Sequence, residues 1–212
     1  MNLTGKNEDV ITVDGRAYEL DLAFPNVLEA FKIVRDDGLA ASERIALCLR
    51  LLLRKTPQTP LDALVAQRLL QTIFDEKIDL AENRLAAQLF GTKGKTFDFD
   101  IDADRIAASF MQQYRIDLGN ARERHAVSWA FFNALLSGLG PDTPFRQATA
   151  YRVMEIPDDA TPEQKEHIRK MKKLYSLTST TSGIESKMAG MDRVQRIKYL
   201  AEQMKKESEA RG

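Results

Sequence analysis

Three features of the sequence predict a mainly α chain: a compact helical domain with an N-terminal β-hairpin and an appended C-terminal helix. Apolar residues recur at three- and four-residue spacing along much of the chain. The alternating run "VITVDGRAYELDL" has Asp14-Gly15 at its centre, a pair suited to the positive φ of a two-residue hairpin turn. The polar stretch "SLTSTTSG" sets off a final periodic segment by its composition. The expected division is hairpin plus helical core over residues 1–177, a linker over 178–184 and an amphipathic helix over 185–212.

A lone hairpin is marginally stable, so this one must pack on the domain or pair with another edge. From Pro25 onward Val27, Leu28, Phe31 and Val34 share a helical face, and Gly38 supplies the stop. Ser42 is expected to cap a helix running through Ile45, Leu47, Leu49 and Leu52 to about Lys55, where "TPQTP" breaks it. Leu61, Leu64, Val65, Leu69 and Ile73 form the next stripe. A further helix is expected from about Leu80 to Phe90, closed by Gly91 and followed by the loop "GTKGK".

Ile106, Phe110 and Tyr114 then repeat at every fourth position, with Met111 beside them. "ARERHAVSWAFFNALLSGLG" reads as one helix ended by Gly138 and Gly140. Its second half, with Val127, Trp129, Phe131, Phe132, Leu135 and Leu136, is apolar nearly all round, as a helix at the centre of a core would be. "TAYRVMEIP" is open between a helix end and a short strand. Thr161, Pro162 and Gln164 have the spacing of a capping box with proline at the first helical position. Last, Met191, Val194, Ile197, Ala201 and Met204 form a stripe flanked by Leu200.

A chain of 212 residues that is 43% hydrophobic can bury one core. Thirty-one basic residues balance thirty-one acidic ones, which gives no general attraction for nucleic acid or membrane. The longest apolar run is interrupted by Arg50 and falls short of a membrane span, and "MNLTGKNEDV" has no apolar signal region. Cys48, the single cysteine, lies in "IALCLRLLL" and reads as a small buried residue in a protein of the reducing cytosol.

The acidic stretch "FDFDIDAD", Phe97–Asp104, invites a metal reading. A calcium loop needs glycine at its sixth position and glutamate at its twelfth. Counting from Asp98 these are Ala103 and Ser109; counting from Asp100 they are Arg105 and Met111. Alternation instead predicts an extended lead-in with its aspartates on one side and Phe97, Phe99 and Ile101 on the other, and with Asp102 or Asp104 capping the next helix. His125 and His167 sit in charged helical surroundings without a nucleophile or metal-ligand spacing, "GTKGK" lacks the phosphate-loop spacing, and Asp158-Asp159 lie in a Pro-bounded turn. No catalytic, cofactor-binding or metal residue is therefore expected, and no cofactor. The remaining enzymatic alternative is a metal-dependent enzyme built on the Asp98–Asp104 cluster. The candidate partner-binding face is Met188, Met191, Val194, Ile197, Leu200 and Met204, since Met-rich helical faces adapt to apolar partners.

The run "FDFDIDADRIAASFMQQYRIDL", with Tyr114, Ile116, Asp117 and Leu118 at its end, resembles the most recognisable block of the bacteriophage and prophage gene-product-fifteen family. "HAVSWAFFNALLSGLGPDTPF", carrying His125, Trp129, Leu135, Leu136, Gly138 and Leu139, is similar to that family's His/Trp-rich helix and the turn after it. "YRVMEIP" resembles its segment with Arg152, Met154, Ile156 and Pro157. The resemblance spans about residues 10–177 and is strongest from 97 to 157. It implies a tail-module protein of long-tailed phages of Gram-positive hosts, encoded just before the tape measure protein and acting in the host bacterial cytoplasm. The implied role is that of a non-enzymatic tail assembly chaperone, with the tape measure protein or other tail proteins as partners and homo-oligomers allowed. The structural alternative is a component retained in the tail, its hairpin joining a neighbour's sheet edge in a ring.

Overall fold

The computed structural model describes residues 9–57, 59–78 and 96–177. Asp14 and Gly15 take positive φ of 50° and 76°, and close a hairpin between β1 (Val10–Val13) and β2 (Arg16–Glu19). The antiparallel register sets Ile11 opposite Tyr18 and Val13 opposite Arg16. Alternation then puts Ile11, Val13 and Tyr18 on one buried face. Among the described residues the helices are α1 (Phe24–Arg35), α2 (Ala41–Leu52), α3 (Ala63–Ile73), α4 (Ala103–Tyr114), α5 (Ala121–Ala126), α6 (Trp129–Ser137), α7 (Pro144–Val153) and α8 (Pro162–Leu174). α3 continues into a single π-helical turn, Phe74–Ile78, and β1 lies against α3. The mainly α class with an N-terminal hairpin is what the sequence predicts.

The segment leaving the hairpin is clasped from two sides. Asp21 N–H donates to the Leu52 carbonyl at 2.8 Å and Arg54 N–H to the Glu19 carbonyl at 2.9 Å. Two residues on, Trp129 N–H donates to the Leu22 carbonyl at 2.7 Å and Phe24 N–H to the Val127 carbonyl at 3.0 Å. These bonds satisfy helix-end groups that would otherwise be orphaned, and they explain one difference from the sequence reading. Residues 121–140 do not form one helix. Val127 and Ser128 turn extended to meet Leu22 and Phe24, and Ser128 Oγ then caps α6 by accepting from Phe131 N–H at 3.3 Å. The second half is central on one face: Trp129, Phe132 and Leu136 are buried, whereas Phe131, expected in the core with them, is 38% exposed. Phe132 stacks on Phe24 with ring centroids 4.3 Å apart and on Phe110 at 5.2 Å.

Other boundaries shift for local reasons. Ser42 does not cap α2. The N-cap position is Ala40, whose N–H donates to Glu43 Oε2 at 2.8 Å, and the helix stops at Leu52 rather than Lys55. α1 ends at Arg35, and Asp36 rather than Gly38 takes the C-cap position. Leu64 is not on the core stripe of α3: it is 71% exposed, while Leu69, Leu70 and Ile73 are buried. "TAYRVMEIP" is a helix end, since α7 runs to Val153. The capping box of α8 forms as expected, with Thr161 Oγ1 accepting from Gln164 N–H at 3.2 Å and Gln164 Oε1 accepting from Thr161 N–H at 2.9 Å. The helix expected over 80–90, the linker over 178–184 and the helix over 185–212 lie outside the described residues.

Candidate functional site

The acidic stretch sits at the entrance to α4, and its geometry departs from the alternating lead-in. Residues 99–102 are a turn, closed by Asp102 N–H donating to the Asp98 carbonyl at 2.8 Å. Asp98 Oδ1 tightens it by accepting from the N–H groups of Asp100 at 2.8 Å and Ile101 at 3.0 Å. Because the chain turns, the aspartates part company. Asp100 points to solvent and pairs with Lys32 of α1 at 2.7 Å, a hydrogen bond that pushes Lys32 above the ordinary lysine value. Asp104 is exposed, and Asp102 is completely buried. Phe97 is buried as expected and makes an edge-on contact with Phe145, centroids 5.6 Å apart.

Asp102 occupies the N-cap position of α4, yet its side chain makes no capping bond. Its carboxylate is spent elsewhere. Oδ1 accepts from Arg152 Nη2 at 2.7 Å and Arg105 Nη1 at 3.0 Å; Oδ2 accepts from Arg152 Nη1 at 2.7 Å and from Asp98 N–H at 3.1 Å. Those four bonds match the roughly four lone-pair directions a carboxylate offers, so Asp102 has none to give a cation. Arg152 also donates to the carbonyls of Thr96, at 3.0 Å, and Tyr175. Sequence reasoning singled out Arg152 for the resemblance alone, and nothing local signals its partner. Among the described residues no group of three or more His, Cys, Asp or Glu is placed to hold a metal ion.

Beside the turn runs a groove made of two adjoining clefts, of 210 and 290 Å³, that share Phe24, Leu28, Phe99 and Arg124. α1 forms one wall, with Glu29 and Lys32; the first turns of α4 form the other, with Ala103, Asp104 and Ala107. Phe132 lies at its base, buried. Arg124 is partly committed, donating to the Leu118 carbonyl at 3.3 Å.

The remaining candidates are structural. Cys48 is buried with Sγ 3.7 Å from the Ala30 carbonyl oxygen, and burial pushes its thiol up to about 11, which removes the thiolate a nucleophile needs. His125 and His167 are exposed, and His167 meets the Tyr151 ring edge-on at 6.4 Å. No helix among the described residues is long and apolar enough to cross a membrane. The face Met188, Met191, Val194, Ile197, Leu200 and Met204 lies outside the described residues.

A family model described as bacteriophage Gp15 protein matches residues 7–177, the hairpin and the whole described core. No curated protein and no solved structure matches the chain.

Proposed function

The chain belongs to the bacteriophage Gp15 protein family, and from that membership we propose a non-enzymatic role in phage tail assembly, as a chaperone that binds the helical tape measure protein. Family membership is the observation that carries this reading. A tape measure protein is a very long helical chain whose apolar faces need cover until tail-tube subunits enclose it, and adaptable apolar helices suit that task. The acidic stretch supports a non-enzymatic role because three of its four carboxylates, those of Asp98, Asp100 and Asp102, are engaged at the entrance to α4.

Co-expression with the tape measure protein of the same phage is expected to yield a complex, weakened when residues 184–212 are removed. Unchanged binding of the shortened chain would take the C-terminal stripe out of the account. Mass spectrometry of purified virions separates a chaperone, absent from finished particles, from a retained tail component. One observation counts against the retained-ring alternative: part of the hairpin edge it would use is already paired within the chain, through Glu19 and Arg54.

A further inference from the structure

α8 is held to the core differently from its neighbours. Among the described helices of nine or more residues, it alone has no buried residue. It lies on α7, with Ile168 and Met171 half-buried, and Tyr175 after them. Between its first turns and the loop before it lies a cleft of 500 Å³, lined by Pro157, Ala160, Gln164 and Ile168.

The other end of α8 is fastened by polar and aromatic contacts. Lys172 Nζ donates to the Met154 carbonyl at 2.7 Å and to the Arg152 carbonyl at 3.2 Å, satisfying carbonyls at the C-terminal end of α7. The Tyr175 carbonyl accepts from Arg152 Nε. The Tyr175 ring stacks on Tyr151 with centroids 5.6 Å apart, and the Arg105 guanidinium lies 5.4 Å from its centroid. Arg152 spends its other donors on Asp102 and on the Thr96 carbonyl. Letting go of Tyr175 therefore leaves the buried Arg152–Asp102 pair whole.

Charge and length work against α8 standing alone. Lys165, Arg169 and Lys173 follow one another at four-residue spacing, and like charges so placed repel on a helix. Thirteen residues is about the length below which an isolated helix is marginal in water. Leaving α7 and unwinding are then one event. We propose that α8 is a latch: it undocks from α7 and unwinds as a unit while the rest of the described core stays folded, and Lys172 and Tyr175 hold it shut. Opening bares Tyr151 of α7 and frees Ile168, Met171 and Tyr175. This is a property of the fold and does not depend on the tail-assembly reading.

Native-state hydrogen exchange of the full-length chain tests the latch. Amides from Lys165 to Leu174 are expected to exchange at least about a hundredfold faster than those of α4 and α6, and to converge on one opening free energy as denaturant rises. Ile73→Val, a mild change in the core far along the chain, should speed exchange in α6 roughly two- to tenfold. It should leave α8 at its parent rate, because the altered contact is intact whether α8 is shut or open. Lys172→Met combined with Tyr175→Ala should speed exchange in α8 at least about tenfold. Any of four results would overturn the proposal. These are a shared rate for α8 and α6 in the parent chain, and a gradient of opening free energies along α8, which is fraying. The others are an α8 that follows α6 in Ile73→Val, and an α8 rate that the double variant does not change.

Discussion

Arg152 grips both carboxylate oxygens of Asp102 from fifty residues away, each bond 2.7 Å long. The aspartate side chain is fully buried and the arginine side chain is 7% exposed. Breaking such a pair from one side leaves a buried charge without its main partner, at a cost of up to about 3–5 kcal/mol, eased for Asp102 by Arg105, which stays bonded to it at 3.0 Å. Asp102→Ala or Arg152→Met should therefore lower Tm by up to roughly 6–20 °C in a chain of this size, followed by the fluorescence of Trp129, the single tryptophan. The double variant should lose less than the sum of the two, since neither charge is then left alone. Additive losses would mean that the two side chains act separately.

The same pair bears on metal binding. With Asp102 holding four donors, Asp98 holding its own turn and Asp100 paired with Lys32, a cation would have to displace the bonds that build the entrance to α4. Titration with calcium, magnesium and manganese to millimolar concentration should release no binding heat and leave Tm unmoved. A saturable heat, or a rise of several degrees, would favour a metal site on the Asp98–Asp104 cluster.

How far the residues reveal this architecture depends on the range of the forces involved. The hairpin, the capping box of α8 and the stripe of α4 are written within a few positions of one another, and all three form. The break between α5 and α6 is not local: Val127 and Trp129 pair with Phe24 and Leu22, about a hundred residues earlier, while their own neighbourhood reads as continuous helix. The same holds at the candidate site. Alternation in "FDFDIDAD" predicts an extended segment, but the Asp98 side chain bonds backbone two and three residues ahead and bends it. A buried arginine then draws Asp102 inward. The groove joins α1 to α4 across some eighty residues, a juxtaposition that no single-sequence pattern encodes.

Tyr114 and Gly138 offer a sharper test of packing. The Tyr114 hydroxyl donates to the Leu135 carbonyl at 2.8 Å, and a Cβ built on Gly138 would sit 3.1 Å from that hydroxyl oxygen and 3.3 Å from the Ala134 carbonyl oxygen. Tyr114→Phe should cost about 0.5–1.5 kcal/mol for the lost bond. Gly138→Ala should destabilise the parent chain, because the hydroxyl is held where the new methyl must go. In the Tyr114→Phe background that penalty should shrink, a coupling that denaturant midpoints of the four-member cycle would measure. Equal penalties in both backgrounds would place the obstruction on the backbone of α6.

Cys48 gives the stability of the fold an alkaline limit. Burial raises its thiol from 9.0 to about 11, so the folded chain keeps the proton over a range in which the unfolded chain releases it. The unfolded state binds fewer protons there, and stability falls as pH rises. The contribution is whole below pH 9, is lost progressively as pH climbs from 9 to about 11, and amounts to on the order of 2–3 kcal/mol. Cys48→Ala has no thiol to titrate, though it gives up some packing at every pH. The difference in unfolding free energy between the parent chain and Cys48→Ala should therefore narrow from pH 8.5 to 10.5. At pH 8 the native thiol should react with a disulfide reagent only as fast as the core opens, and at once in denaturant. A pH-independent difference, or prompt labelling of the native chain, would show that the thiol is not sealed between α1 and α2.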